Sequence, residues 1–228
     1  MSQRGKLPTE KSEARKMRVR KIVRSLKKMY PVPKSELRYE TPFQFLVAVV
    51  LSAQCTDKLV NRVTDELFQK YKTPKDFAST SLNEFTNAIS SVSFFRNKAK
   101  HIMLAAKMVC EDSGGHVPRN EAALVRLPGV GYKTAHVVLN ELFNISEGIP
   151  TDTHVKRFAK KFDLTDQSDL KKISKELEKL IPKKDWKYVN NGLVLYGRYV
   201  CPARPHDCAK HPLTKLWPQA ATRWPKVK

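Results

Sequence analysis

Two side chains in this sequence combine a reactive type with a setting suited to covalent chemistry. Lys133 closely follows the string Leu127-Pro128-Gly129-Val130-Gly131-Tyr132, and Asp152 lies nineteen residues further on. An amine that attacks an electrophilic carbon forms a Schiff base, and it attacks only when unprotonated. A lysine, with an ordinary pKa near 10.4, therefore needs desolvation, a neighbouring cation or a helix N-terminus. Lys133 is predicted in the first turn of a helix, where the dipole disfavours a cation. A carboxylate such as Asp152 can take up the remaining proton or hold positive charge that develops in the transition state. Asp152 also reads as the N-cap of a helix beginning near His154. A third group lies near the C-terminus, where Cys201, His206, Cys208 and His211 are all zinc-ligand types. Their spacing is cramped for a four-ligand site.

These residues need elements to position them. Glu121–Leu127 has the composition of a short helix, and Tyr132–Phe143 places Ala135, Val138, Leu139 and Leu142 on one helical face. Pro128, Gly129 and Gly131 between them break any continuous helix, so the segment reads as helix, tight hairpin, helix. Glycine there permits positive φ and close backbone approach. The N–H groups that open the second helix form a ready site for a phosphate oxygen. Upstream, Thr41-Pro42 opens an apolar helix over 43–51. Thr56 caps a helix to about Tyr71, Thr73-Pro74 starts a short one, and Ser81-Leu82-Asn83-Glu84 has capping-box form. Lys98–Cys110 is helical and stops at Gly114-Gly115. After Asp152, helices are predicted over 154–162, from Ser168 or Asp169 to Ile181, and over 185–200. No strand pattern and no repeat is present.

The hairpin string L-P-G-V-G-Y-K-T-A, followed by Pro150-Thr151-Asp152-Thr153-His154, resembles the base-excision DNA glycosylases of the endonuclease III family. The resemblance runs from about Lys21 to Cys208. It implies Lys133 as the Schiff-base lysine and Asp152 as the catalytic carboxylate. It implies hairpin contacts to a DNA backbone at Leu127, Gly129, Val130, Gly131, Tyr132 and Thr134. Leu51-Ser52-Ala53-Gln54-Cys55-Thr56-Asp57 matches the family's L-S-A-Q-x-T-D turn, whose Gln enters the gap left by a flipped base, and that role carries over to Gln54. Taken alone, Gln54 reads as a helix-end hydrogen-bonding residue. The family's G-L-Y-N-x-K-A loop is altered here. Ser93, Phe94, Phe95 and Arg96 stand for its Gly, Leu, Tyr and Asn. Phe94 can serve as the wedge, because an aromatic ring stacks where a base has left; the bland alternative packs both Phe residues in the core. His154 is expected to be structural. Lys156 and Arg157 suit either phosphate contacts or a solvated helix face.

The family's four cluster cysteines follow C-x6-C-x2-C-x5-C. Here Cys201 and Cys208 keep the first spacing, but His211 and Trp217 hold the third and fourth places. Trp cannot ligate iron, and thiolates are the usual cluster ligands. The expectation is no iron–sulfur cluster, no cofactor, and packing by Leu213, Leu216 and Trp217 in its place. Cys55 and Cys110 read as core residues.

Composition agrees with a nucleic-acid partner. The 228 residues carry 43 Lys plus Arg against 22 Asp plus Glu, a net charge of +21. Such a chain attracts polyanions. Eleven Lys or Arg against two Glu fall in the first 28 residues, which could touch phosphates or form a solvated tail. The first dozen residues are expected to lack fixed structure. No apolar run nears the roughly 20 residues that span a membrane, and no signal core is visible. The four cysteines do not form a secreted disulfide framework. The expected location is intracellular, cytoplasmic or nucleoid-associated in a bacterium.

The expected architecture is all-α and two-lobed: a basic N-terminal tail and helix (1–34), a helical barrel with the hairpin (35–148) and a C-terminal helical lobe (149–228), with the site in the cleft between lobes. The expected function is excision of oxidised pyrimidines from duplex DNA by a monomer, with β-elimination at the abasic site. A glycosylase of other base choice, for mismatches or adenine, is the enzymatic alternative. Lys133 and the lack of an adenine–mismatch enzyme's extra domain speak against it. A non-catalytic hairpin protein that only binds DNA is the alternative from another class.

Overall fold

The computed structural model describes residues 10–223, all helix, turn and loop, with no strand among them. The expectation that the first dozen residues lack fixed structure falls mostly on residues 1–9, outside the described range, while residues 10–12 belong to a helix. Twelve α-helices follow in order: α1 (Glu10–Met29), α2 (Pro42–Ser52), α3 (Asp57–Lys70), α4 (Pro74–Ser79), α5 (Leu82–Ala88), α6 (Phe95–Ser113), α7 (Glu121–Leu124), α8 (Tyr132–Phe143), α9 (Thr153–Lys161), α10 (Leu170–Leu180), α11 (Lys187–Tyr199) and α12 (Pro212–Leu216). No described helix is long and apolar enough to cross a membrane.

Local chemistry sets most of these boundaries. Thr41 and Thr73 each accept a hydrogen bond from the third residue of their helix, whose Gln44 or Asp76 side chain answers at the cap N–H. Thr56, Ser81 and Asp169 cap α3, α5 and α10 by the same side-chain device. Several boundaries differ from the sequence reading. Helix α7 stops at Leu124, ahead of the predicted Leu127. Helix α6 starts at Phe95, ahead of Lys98, because Phe94 takes a left-handed conformation that turns the chain directly into it. The last long helix begins at Lys187, since Lys183–Asp185 forms a separate 3-10 turn.

The helices divide into two compact units, residues 35–147 and residues 1–34 with 148–228. In the first, α2 is the central helix. Phe43 through Leu51 are all buried, and α3, α6 and α8 pack around them. Phe77 lies within 5.3 Å of Phe43, 5.2 Å of Tyr71 and 5.8 Å of Phe85, an aromatic knot under α4 and α5.

In the second unit α1 packs on α11, α12 and α10. Its Val19, Ile22, Val23 and Leu26 join Phe158, Phe162, Ile173, Leu177, Leu193 and Tyr196 in one core. The buried guanidinium of Arg15 ties α1 to the α9–α10 turn. It lies 3.4 Å from Asp163, 2.8 Å from Asp166 and 3.3 Å from Glu176. Hydrogen bonds from Arg15 and then Lys11 hold the Asp166 carboxyl well below the usual range. A depressed folded pKa contributes stability that is present above the unfolded value, near pH 4, and is lost as pH falls below it. Arg15→Met is expected to destabilise the protein by about 2 kcal/mol. In the wild type, thermal melts taken downward from pH 6 should show an acid loss of stability that this variant largely lacks.

Candidate active site

The hairpin turns on a glycine in a conformation that side chains rarely adopt. Gly129 has φ +79°, and a Cβ there would lie 3.1 Å from the His101 Cβ on α6 and 3.4 Å from Val50 on α2. A side chain there would be strained by the conformation and would push on His101. The turn closes by the Val130 N–H donating to the Leu127 carbonyl at 3.1 Å. Leu127 and Val130 bury their side chains in the core. Only their backbone is left for a ligand. Gly131 is the N-cap of α8 and supplies no capping side chain, and a Cβ on it would meet nothing within 4 Å. The first turn of α8 therefore opens with its amides beside an open approach. Lys133 is the second residue of that turn and half-buried; Tyr132 and Thr134 flank it, also half-buried.

Behind this face, Tyr132 packs on the fully buried His136 ring, with centroids 4.3 Å apart. His136 Nε2 lies 2.7 Å from the Glu121 carboxylate of α7. That pair joins the two helices of the hairpin. The sequence carried no signal for it beyond two residues of compatible type.

The Gln54 turn and the Phe94 loop come together in the same unit. Gln54 is exposed with φ 59°, and Phe94 is 62% exposed with φ 58°. A left-handed bulky residue is costly, about 1–2 kcal/mol, and persists where its surroundings over-determine it. Those surroundings centre on Lys98. Its Nζ is buried and donates to the carbonyls of Leu51 at 2.8 Å and Ala53 at 2.6 Å, with the Cys55 sulfur at 3.7 Å. The ammonium thus closes the C-terminus of α2, where cations are favoured. Burial pushes the Lys98 pKa down, and Cys55 partly offsets this. Cys55 Sγ also accepts the Ser93 N–H at 3.3 Å, linking the turn to the loop. Phe95 is the half-buried member of the aromatic pair and packs on the core. Sequence reasoning placed Lys98 only as a helix start; its span of more than forty residues to α2 is visible only in three dimensions.

Asp152 lies in the other unit. It caps α9, its carboxylate accepting the Val155 N–H at 2.9 Å. The extended segment before it is pinned at every residue. Ser174 donates to the Ile149 carbonyl at 2.8 Å, and Asn190 to the Pro150 carbonyl at 2.9 Å. The buried Thr151 hydroxyl donates to the Ile149 carbonyl at 3.1 Å. That bond satisfies the buried threonine hydroxyl. Asp152 is thus rigidly presented, held by its own helix and by residues from α10 and α11. His154 is half-buried on α9, close to Gly197, where a Cβ would lie 2.4 Å from its Nδ1 and 2.7 Å from Arg157. Arg157 donates to the carbonyls of Cys201 at 2.8 Å and Pro202 at 3.2 Å. It holds the C-terminal loop, so neither reading offered for it from sequence describes its contacts.

That loop contains the cysteines. Cys201 and Cys208 are buried. Donor atoms of Cys201, His206 and His211 lie within 4.8 Å of one another, whereas Cys208 Sγ accepts a hydrogen bond from the buried Lys161 Nζ at 3.2 Å. Of these four residues of zinc-ligand type, the fold gathers three. Leu213 is buried, with Leu216 and Trp217 packed on the same core. Trp217 takes two cation–π contacts, from Arg18 at 4.3 Å and Arg223 at 4.9 Å. Cys55 and Cys110 are half-buried.

Comparison with known proteins places these features in company. Residues 47–183 match the family model described as HhH-GPD superfamily base excision DNA repair protein. Endonuclease III of Bacillus subtilis is 46% identical over 189 residues, 82% of this chain and 86% of its own. Endonuclease III of Escherichia coli is 35% identical over 190 residues, 82% and 88% of the two chains. The solved structure of a trapped endonuclease III–DNA covalent intermediate superposes with a TM-score of 0.85 at 39% identity, covering 91% of this chain and 98% of that one. Removing the buried ammonium should loosen the Gln54 turn: Lys98→Met is expected to cost about 2–3 kcal/mol in chemical denaturation, since it orphans two helix-end carbonyls.

Proposed function

Since the chain belongs to the endonuclease III family of HhH-GPD base excision DNA repair proteins, we propose that it excises oxidised pyrimidines from duplex DNA and nicks the resulting abasic site. The observation that carries this reading is Lys133 in the first turn of α8, directly after a hairpin whose backbone stands open to a phosphate. In the proposed reaction the Lys133 amine attacks the sugar C1′. The bond from C1′ to the base breaks, the base leaves with the bonding electron pair and gains a proton, and the sugar ring opens to a Schiff base. Loss of the C2′ proton then expels the 3′ phosphate by β-elimination. The Asp152 carboxylate accepts the proton of the lysine ammonium or holds the positive charge on the sugar. Gln54 and Phe94, on two adjoining turns, fill the space of the extruded base, whose flipping costs a few kcal/mol. The backbone of Leu127 to Gly131, with Tyr132 and Thr134, grips the phosphates, and the charge of +21 supplies long-range attraction. A bacterial protein with this substrate would work at the nucleoid.

No step of this chemistry asks for a prosthetic group. We infer that the residues present do not fit the family's 4Fe–4S cluster. Two thiols stand where four are needed, one of them is hydrogen-bonded to a buried ammonium, and the fourth position is an indole in contact with two guanidinium groups.

Borohydride trapping on duplexes carrying single oxidised pyrimidines tests the reaction. A covalent protein–DNA adduct is expected for the wild type and none for Lys133→Ala; an adduct that survives this substitution would overturn the assignment. Asp152→Asn keeps a good helix cap while removing the charge, so stability should hold within about 0.5 kcal/mol as base release slows by about 100-fold or more. Stable DNA binding without any adduct would instead support the silent binder, and excision confined to mismatched bases or adenine the other base choice. Phe94→Ala should weaken binding to abasic-site DNA by about 1–3 kcal/mol, read by fluorescence anisotropy, with the thermal midpoint nearly unchanged because the ring is exposed.

A further inference from the structure

The segment from α11 to α12 has no regular structure of its own, yet it carries the tightest gathering of soft donors in the described chain. Cys201 is fully buried at its start, and His206 and His211 are half-buried along it. Their donor atoms all lie within 4.8 Å of one another. The two imidazoles stack with centroids 5.1 Å apart and an interplanar angle of 29°.

Two features go beyond proximity. His206 Nδ1 lies 2.9 Å from the Arg204 carbonyl. A carbonyl only accepts, so Nδ1 carries the hydrogen and Nε2 carries the lone pair. Metal-ligating histidines are held in this way, by a backbone acceptor on the other ring nitrogen. His211 Nδ1 is buried without a hydrogen-bond partner, and such groups are rare unless an unplaced water or ion meets them. The Cys201 end is anchored by Arg157, which donates to its carbonyl.

We propose that Cys201 Sγ, His206 Nε2 and His211 Nδ1 bind one zinc ion, with water as the fourth ligand, and that the ion staples the loop between α11 and α12. Zinc takes thiolate sulfur at about 2.3 Å and imidazole nitrogen at about 2.0 Å in a tetrahedron, so donors must stand about 3.3–3.6 Å apart. Closing from within 4.8 Å asks for side-chain shifts of roughly 1 Å. One thiolate with two neutral imidazoles suits a borderline divalent ion, and too few thiolates are present for an iron–sulfur centre. Lys161 and Cys208 stay paired beside the ion, the ammonium answered by its own sulfur. The ion is structural. It lies outside the residues assigned to the reaction, and the proposal does not depend on that assignment.

The test uses the full-length protein, passed over chelating resin and analysed for zinc, iron and acid-labile sulfide by elemental and colorimetric assay. One zinc per chain is expected, with neither iron nor sulfide. Stripping with a strong chelator should lower the thermal midpoint, and zinc alone should restore it. Co2+ added to the stripped wild type should give the visible bands of a tetrahedral ion and a near-ultraviolet thiolate-to-cobalt band. Cys201→Ser should abolish the thiolate band, and His206→Ala with His211→Ala should abolish stoichiometric zinc. Less than stoichiometric zinc in the wild type, iron with equivalent sulfide, or full zinc in the double histidine variant would overturn the proposal. If the variants fail to fold, the Co2+ spectrum of the wild type decides: no tetrahedral thiolate signature, no site.

Discussion

Every helix begins with amides that its own turns cannot satisfy, and how this chain treats two such beginnings governs the rest. Helix α9 takes a side chain as its cap, and the Asp152 carboxylate accepts the Val155 N–H. That bond fixes the carboxylate where its helix begins. Helix α8 takes glycine instead. No cap side chain competes for its first amides or crowds the approach to them. The same residue choice sets Lys133 where a positive charge is least favoured. One helix start therefore orients an acid, and the other keeps donors and an amine for a ligand.

Such exposed backbone has to be supported from behind. Gly129 presses against His101 and Val50, so α6 and α2 form the floor of the hairpin. The same two helices are joined by the Lys98 ammonium, which satisfies carbonyls at the end of α2. Gln54 and Phe94 then sit in left-handed conformations on either side of Cys55, which receives the Ser93 N–H. The proposed function gives these two strained, exposed side chains, held by a buried ammonium, the contacts to DNA. In the other unit the segment before Asp152 is held by Ser174 and Asn190. In both, packed helices hold the turns and helix starts on which the proposed site residues lie.

The C-terminal loop solves a different problem. Where four thiolates would bind a cluster, this chain has a tryptophan contacted by two arginines, a buried lysine–cysteine pair and a cysteine with two histidines. Arg18 and Arg223, which both contact the Trp217 ring, each also reach Asp163 at 3.3 Å. Thus α1, the end of α9 and the C-terminal segment are tied together by charge and ring contacts.

Much of this was legible along the chain, because the deciding physics is local. Helix starts at Thr41, Thr56, Thr73, Ser81 and Asp152 follow from side chains that reach a backbone amide three residues away. The hairpin follows from glycine's access to positive φ, and Lys133 and Asp152 stood out by their place relative to such starts. Contacts between residues far apart in the sequence were not legible. Lys98 reads as one more cation among 43 Lys and Arg until its burial gives it two carbonyls to satisfy. Leu127 and Val130 looked like ligand contacts, and packing turned their side chains into core. Arg157 looked like surface and became the anchor of a loop. Composition states which donors and charges exist; only the fold decides which of them lose water, and a buried polar group must then find a partner.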